Sequence, residues 1–219
     1  KPANLSQGEK QRVALGRCIT RDPKVILLDE PISNLDQPLR SRYRAELKKL
    51  LQRYGVTAVY VTHDQQEAMM MGDLIAVMDI GTIEQVATYE RIYRNPNNIF
   101  VAKFLNIDMD TPAINIIDGS LLSPPIERYL VGIRPEAMIP TKSEDHEYTI
   151  KGTITDILRM PVKGVNIVTL QVDGEEIVVR VPHNQVLRIG SETLMSPTEI
   201  HLFSRKTKRR VRSIYPELV

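Results

Sequence analysis

The chain has 219 residues, of which 42% are hydrophobic, 26% charged and 5% aromatic, and its formal net charge is +2. This composition is that of a globular protein and excludes a disordered chain, which lacks the apolar residues for a core. No apolar run approaches the roughly 20 residues that cross a bilayer. The single cysteine, Cys18, excludes an internal disulfide and predicts a reducing compartment, by default the cytoplasm.

The first half of the chain alternates helices with short apolar strands. A capping-box pattern at Ser6 and Glu9 begins a predicted helix. Residues 25–28 and 58–62 are continuous apolar runs, typical of parallel strands covered on both faces. Apolar residues at helical spacing over 39–54 predict an amphipathic helix between them. The result is an α/β region with a parallel βαβ unit, whose strands end at the same edge, where ligands bind.

The pattern changes near residue 105. Residues 74–78 and 82–86 predict a hairpin, and beyond residue 105 the chain consists of short β-rich runs separated by turns. These runs lie at 129–133, 148–158, 165–172, 176–181 and 199–203. They predict a small all-β barrel of the OB-like type, and hence two domains, 1–105 and 106–219. Six basic residues between 205 and 212 are interpreted as a solvated tail.

Acidic side chains and a histidine follow the two parallel strands. Asp29 and Glu30 come directly after the first strand, and His63 comes after the second. Because both strands end at the same edge of the sheet, these side chains are expected to lie close together. Carboxylates there can hold Mg²⁺ and position a water molecule. Taken one at a time, the three residues are more simply interpreted as structural, in a turn, a cap or a packed histidine.

The start of the first predicted helix is a second candidate site. Ser6, Gln7, Gly8 and Glu9 open this helix, and a glycine in a first turn leaves backbone N–H groups accessible to a phosphate. Helix capping is the simpler interpretation of the same four residues.

Four segments taken together resemble the ATPase subunits of ABC transporters. They are similar to the signature motif, Walker B motif, D-loop and switch histidine, and they lie at residues 5–12 (LSQGEKQR), 26–31 (ILLDEP), 33–36 (SNLD) and 61–64 (VTHD). The wider stretch 1–104, with 131–136 (VGIRPE), resembles the maltose-type importer ATPases that carry a C-terminal regulatory (TOBE) barrel. The resemblance covers the first half densely and the second half mainly at that one motif.

The resemblance implies a role for each candidate residue. Asp29 would bind Mg²⁺ through its water shell, Glu30 would polarise the attacking water, and His63 would contact the γ-phosphate of ATP. Residues of the signature motif would contact ATP bound to the second subunit of a homodimer, and the D-loop would couple the two sites. These residues are Ser6, Gln7, Gly8 and Glu9 in the signature motif and Asp36 in the D-loop.

Two departures from the family pattern concern ATP. The usual signature reads Leu-Ser-Gly-Gly-Gln, whereas Gln7 and Glu9 stand at its third and fifth positions here, and a carboxylate near a triphosphate is repulsive. In addition, none of the 11 glycines is followed by lysine, so the Gly-x-x-x-x-Gly-Lys-Ser/Thr P-loop is absent. We therefore expect the chain to be a C-terminal portion of a longer subunit, in keeping with a first residue, Lys1, that is not an initiator methionine. We also expect that this chain alone does not hydrolyse ATP.

The resemblance also implies where the protein acts and with which partners. An energy-coupling ATPase of an importer works at the inner face of the cell membrane with transmembrane permease subunits, and a sugar is the expected solute. Two alternatives stay open: a non-catalytic regulatory or dimerisation module, and an ABC-type ATPase of DNA repair. The first half shows no long heptad pattern, and the net charge is small, so no nucleic-acid partner is expected.

Overall fold

A computed structural model describes residues 5–32, 37–106, 110–143 and 145–217. The chain forms two compact units, Lys1–Ile75 and Ala76–Val219, which are called here the N-terminal unit and the C-terminal unit. In the described ranges, no helix is both long and apolar enough to cross a membrane.

The N-terminal unit contains the predicted βαβ arrangement. Its elements in chain order are α1 (Gln7–Ile19), β1 (Val25–Asp29), α2 (Gln37–Tyr54), β2 (Thr57–Val61) and α3 (Gln65–Met71). Strands β1 and β2 pair in parallel, from Val25 opposite Thr57 to Asp29 opposite Val61. The predicted parallel pairing is therefore confirmed, and both strands end at one edge.

Local sequence explains where the first helices begin and end. Ser6 caps α1 through the predicted capping box with Glu9. Helix α2 stops before Gly55, which adopts a left-handed φ of 62° that glycine tolerates best. One face of α2 buries Tyr43 and Leu47 against Ile32, which follows β1, and this cluster is the apolar core of the unit.

The sheet of the N-terminal unit is covered on one face only by the described residues. Residues of β1 alternate between buried and exposed positions, with Ile26 buried and Leu27 77% exposed. Val59 and Val61 of β2 are also exposed. The apolar runs predict strands covered on both faces, but only one face of this two-stranded sheet is packed against helices in the described residues, because α2 covers a single side.

The C-terminal unit begins with a hairpin and two short helices. Strands β3 (Ile75–Asp79) and β4 (Thr82–Ala87) pair as predicted, and helices α4 (Tyr89–Arg94) and α5 (Ile99–Phe104) follow. Thr88 caps α4 and Asn98 caps α5.

Two antiparallel sheets form the rest of the C-terminal unit. Their strands are β5 (Asn115–Asp118), β6 (Tyr129–Ile133), β7 (Met138–Thr141), β8 (Ile150–Met160), β9 (Val165–Val172), β10 (Glu175–Pro182), β11 (Glu192–Pro197), β12 (Ile200–Ser204) and β13 (Arg210–Ile214). One sheet has the order β10-β9-β8-β11-β7 and the other has the order β13-β12-β6-β5. A hydrophobic cluster that includes Val131, Val168, Val179 and Leu202 draws on strands of both sheets. The OB-like closure of these strands stays a prediction.

The basic segment 205–212 is not a solvated tail. It forms the turn after β12 and the start of β13, which pairs with β12. Arg205 donates to Asp118 Oδ1 over 2.6 Å, and Arg210 donates through Nε to the carbonyl of Pro96 over 2.9 Å. The tail interpretation was wrong because this segment returns along β12 and two of its arginines are hydrogen-bonded to other parts of the unit.

Helices α4 and α5 belong to the same compact unit as the β-strands. Ala102 of α5 packs with Ile114 and Phe203, and the guanidinium of Arg134 donates to the carbonyls of Tyr93 and Ala113, each over 2.7 Å. Packing thus divides the chain at residue 75, whereas the domain division at residue 105 stays a prediction.

Candidate nucleotide site

Glu30 and His63 come together at the carboxyl edge of the parallel sheet. The backbone N–H of Glu30 donates to the carbonyl of Val61 over 3.0 Å, which extends the β1–β2 pairing by one residue. Glu30 Oε1 lies 2.9 Å from His63 Nδ1, and both side chains are accessible to solvent. The structure therefore places a carboxylate and an imidazole as a hydrogen-bonded pair where a ligand can reach them.

The backbone at Glu30 has an unusual conformation. Its φ of 42° lies in the left-handed region, where a residue with a Cβ is disfavoured. Such strained residues concentrate at functional sites, where the surrounding structure holds them. The turn at Glu30 directs the chain out of β1, and the pairing of its N–H with Val61 keeps it there.

The pair also has an electrostatic consequence for the histidine. The hydrogen bond from His63 to Glu30, followed by the charge of Glu30, raises the pKa of His63 above its ordinary value of 6.5. A larger fraction of this imidazole is therefore protonated near neutral pH. A cationic imidazole attracts a phosphate oxygen, whereas a neutral one can only donate or accept a hydrogen bond.

Asp29 is the exposed last residue of β1 and directly precedes Glu30. Mg²⁺ accepts a site of one or two carboxylates, with waters and phosphate oxygens as further ligands. No group of three or more His, Cys, Asp or Glu side chains is positioned to hold a metal ion within the described parts of the chain. Asp29 thus fits a metal that arrives with a phosphate ligand.

At the other candidate site, the start of α1, Ser6 and Glu9 are hydrogen-bonded to each other in the helix cap. Glu9 Oε2 accepts hydrogen bonds from the backbone N–H of Ser6 over 2.8 Å and from its hydroxyl over 2.9 Å. The Ser6 N–H and hydroxyl hold the pKa of Glu9 below its ordinary value. The hydrogen bonds that the structure describes for the Ser6 and Glu9 side chains lie within this cap.

The remaining predicted site residues are Gly8, Gln7 and Asp36. Gly8 lies in the first turn of α1, as expected. Gln7 is the first residue of α1, but its side chain lies outside the described residues. Asp36 also lies outside them, so the roles predicted for these two residues stay predictions.

Known proteins are similar to this chain both in its N-terminal segment and over nearly its whole length. A family model described as "ABC transporter" matches residues 1–33. The sn-glycerol-3-phosphate import ATP-binding protein of Rhizobium johnstonii is 38% identical over 219 residues, which covers 96% of this chain and 62% of that protein. The chain is related to the ATP-binding subunits of ABC importers.

Two relatives are more similar over a shorter stretch. The xylose/arabinose import ATP-binding protein of Haloferax volcanii is 56% identical over 121 residues, which are 55% of this chain and 30% of that protein. The trehalose/maltose import ATP-binding protein of Thermococcus litoralis is 56% identical over 119 residues, or 54% of this chain and 31% of that protein. The chain thus matches less than two thirds of the length of each relative.

A buried carboxylate in α3 is hydrogen-bonded to the residue that precedes His63. Glu67 of α3 is 3% exposed, and its Oε2 accepts from the hydroxyls of Tyr60 over 3.0 Å and Thr62 over 2.8 Å. The Thr62 oxygen accepts in turn from the N–H of Asp64 over 3.0 Å. The residues on both sides of His63 are therefore tied to one carboxylate.

Arg44 completes this buried cluster from α2. Its Nη2 lies 3.8 Å from Glu67 Oε1, and its Nη1 lies 3.1 Å from the sulfur of Met70. Burial, together with the charge of Glu67, raises the pKa of Tyr60 strongly. The Tyr60 hydroxyl therefore stays protonated and donates its hydrogen bond to Glu67. Sequence reasoning missed this role of Glu67, because no periodic pattern marks a carboxylate that joins a strand to two helices.

The VGIRPE motif of the C-terminal unit has a structural role. Arg134 is 3% exposed and its guanidinium lies 3.6 Å from the ring centroid of Tyr93, in addition to its two carbonyl partners. Burial lowers the pKa of Arg134 to about 10, which leaves it charged at neutral pH. These buried contacts give Arg134 a structural role in holding α4 and the segment before β5 to the strands.

Proposed function

We propose that the chain acts in the energy-coupling ATPase of an ABC importer for a sugar or a related solute. The observation that carries this proposal is the pair of Glu30 and His63, 2.9 Å apart at the carboxyl edge of the parallel strands. The pair lies where the family places its water-activating carboxylate and switch histidine. The related import proteins, named for xylose and arabinose, trehalose and maltose, and glycerol phosphate, support the class of solute.

Each side chain has a chemical task in this proposal. Glu30 accepts a hydrogen bond from the attacking water and orients it, while the raised pKa of His63 favours an imidazolium that binds a γ-phosphate oxygen. Asp29 would hold Mg²⁺, which neutralises charge on the phosphate oxygens when it is bound. Glu67 holds the loop that carries His63.

The signature residues act on a second ATPase subunit. We infer a head-to-tail dimer in which Ser6, Gln7, Gly8 and Glu9 contact ATP bound to the partner, and Asp36 links the two sites. For the Ser6 hydroxyl to contact a phosphate, its hydrogen bond to Glu9 must open. Closure of the dimer would drive permease subunits at the cytoplasmic face of the membrane. The β-rich part would serve as an OB-like regulatory barrel.

The missing P-loop determines what this chain can do alone. A P-loop supplies the backbone nest and the lysine that hold the β- and γ-phosphates. The 219 residues contain no such motif, so we propose that the chain alone does not hydrolyse ATP. It can nevertheless offer its signature residues to a partner that has a P-loop.

Because the chain has signature residues but no P-loop, the proposal can be tested with mixed dimers. The chain is combined with a related importer ATPase subunit that contains a P-loop but carries a substitution in its own signature motif, so that only mixed dimers hydrolyse ATP. Ser6→Arg in the chain is expected to reduce hydrolysis at least about tenfold, because a bulky side chain blocks the nucleotide interface. Glu30→Gln in the chain is expected to change it little, because the site that holds Glu30 lacks a P-loop.

Ser41→Arg is the matched control, since Ser41 is an exposed residue of α2 in the same unit. It should leave hydrolysis by the mixed dimer unchanged. Loss of activity with Glu30→Gln and not with Ser6→Arg, or Mg²⁺-dependent hydrolysis by the chain alone, would contradict the proposal.

A further inference from the structure

A cleft in the C-terminal unit lies between the segment around α4 and the start of β13. It has a volume of about 540 Å³, and none of the residues assigned to the nucleotide site lines it. Three arginines line it, Arg91, Arg94 and Arg210, and Glu90 is the acidic residue of the lining. Three positive charges against one negative charge make the cleft an electropositive concavity.

The walls of this cleft are held by hydrogen bonds. The buried side chain of Gln85 donates to the carbonyl of Asn95 over 3.0 Å and accepts from the N–H of Asn97 over 2.7 Å. The backbone N–H of Arg210 donates to the carbonyl of Asn97, and its Nε donates to that of Pro96, each over 2.9 Å. Because both walls are joined through residues 95–97, a ligand would meet a preformed site.

The arginines keep donors that none of the described residues uses. The guanidinium of Arg91 is exposed and makes no hydrogen bond or ion pair to the residues that the structure describes. Arg94 contacts Glu90 over 3.5 Å in an exposed pair, a type of interaction that contributes little. Toward the part of the chain that the structure describes, Arg210 donates through Nε and through Nη1, the latter to Ser213, so its Nη2 is left for a ligand.

The chemistry of these donors selects the ligand. Guanidinium groups bind phosphate through two parallel hydrogen bonds, and several of them together suit a group with more oxygens than a carboxylate has. The volume of the cleft is in the range of small-molecule sites. We propose that this cleft binds a small phosphate-bearing anion, through Arg91, Arg94 and Arg210. The proposal is independent of the function proposed above, because it uses none of the same residues.

Calorimetric titration of the 219-residue chain with pyrophosphate, at constant ionic strength and without Mg²⁺, tests the proposal. One saturable site is expected for the unchanged chain. The double variant Arg91→Gln/Arg94→Gln should bind at least about tenfold more weakly, because it loses two charge-assisted partners. Both side chains are exposed, so the variant is expected to fold, which circular dichroism checks.

Arg159→Gln/Arg188→Gln is the matched control, since it removes two exposed arginines from the same unit but outside the cleft. Its affinity should stay within about twofold, because screened charges at a distance contribute little. Three results would overturn the proposal: no saturable heat at millimolar pyrophosphate, an equal loss in both double variants, or binding of an oligonucleotide that excess pyrophosphate does not displace. The last result would assign the arginines to an extended polyanion.

Discussion

The two units of the molecule bury their apolar residues in different ways. In the N-terminal unit, a two-stranded sheet packs one face against α2 around Ile32 and Leu47, and leaves Leu27 and Val59 exposed on the other. In the C-terminal unit, strands of two antiparallel sheets contribute to one continuous cluster. The comparison shows that the proposed catalytic residues lie in the unit with the smaller core, so their geometry depends on local polar contacts more than on packing.

The largest effect is expected from the core of the C-terminal unit. Phe203 is fully buried against Ala102 and Ile114, so Phe203→Ala should lower the free energy of unfolding by about 4 kcal/mol. Urea denaturation measures this change. Phe100→Ala removes the same ring from a position that is 37% exposed and should cost much less. Equal losses would mean that the cluster around Phe203 is not a core.

A somewhat smaller effect is expected from the polar cluster of the N-terminal unit. Glu67→Ala removes the acceptor of Tyr60 and Thr62 and leaves Arg44 buried without its carboxylate, which should cost about 3 kcal/mol. Chemical denaturation and the NMR signals of His63 report the change. The control Glu46→Ala breaks an exposed pair with Arg42 and should cost less than about 1 kcal/mol. An undisturbed His63 signal in Glu67→Ala would contradict the positioning role.

A pH-dependent effect distinguishes the C-terminal unit. His201 is 1% exposed, and burial, with the charges of Arg134 and Arg210, lowers its pKa to about 4 from an ordinary 6.5. The unfolded chain therefore binds the proton more readily, and stability is lost as the pH falls from 6.5 toward 4.

Between neutral pH and pH 5, this single group should lower the free energy of unfolding by about 2 kcal/mol. The control variant His201→Asn keeps an acceptor for the Ser213 hydroxyl, which lies 2.8 Å from His201 Nδ1, but does not titrate. Urea denaturation at several pH values should show a shallower acid dependence for this variant. An unchanged dependence would assign it to groups other than His201.

The smallest effect on the free energy of unfolding is expected from the Glu30 and His63 pair, because an exposed ion pair contributes little to stability. Because the folded pKa of His63 is raised, the contribution of the pair is present below pH 6.5 and is lost as the pH rises through the folded value. NMR titration should show the raised pKa, and Glu30→Gln should return it toward 6.5. His183, an exposed histidine of the other unit, is the internal reference. A His63 pKa unaffected by Glu30→Gln would mean that the pair does not form in solution.

The sequence predicted some elements to the residue and missed others for identifiable reasons. Strands β6 and β9 lie at the predicted bounds, because both are uninterrupted apolar or alternating runs between turns. Strands β5, β7, β11 and β13 were not predicted. The first two are only four residues long, β7 and β11 contain Pro140 and Pro197, and the arginines of β13 suggested a solvated segment.

By itself, the sequence determined the capping box of α1, the parallel βαβ unit, and the meeting of Glu30 with His63, because each follows from local spacing and the direction of neighbouring strands. It also determined the absence of a P-loop motif. Tertiary structure alone decided that Glu67 holds the His63 loop and that Arg210, distant in sequence, lines one cleft with Arg91 and Arg94 of α4. Those features depend on distances between elements, which burial and hydrogen bonding set only when the chain has folded.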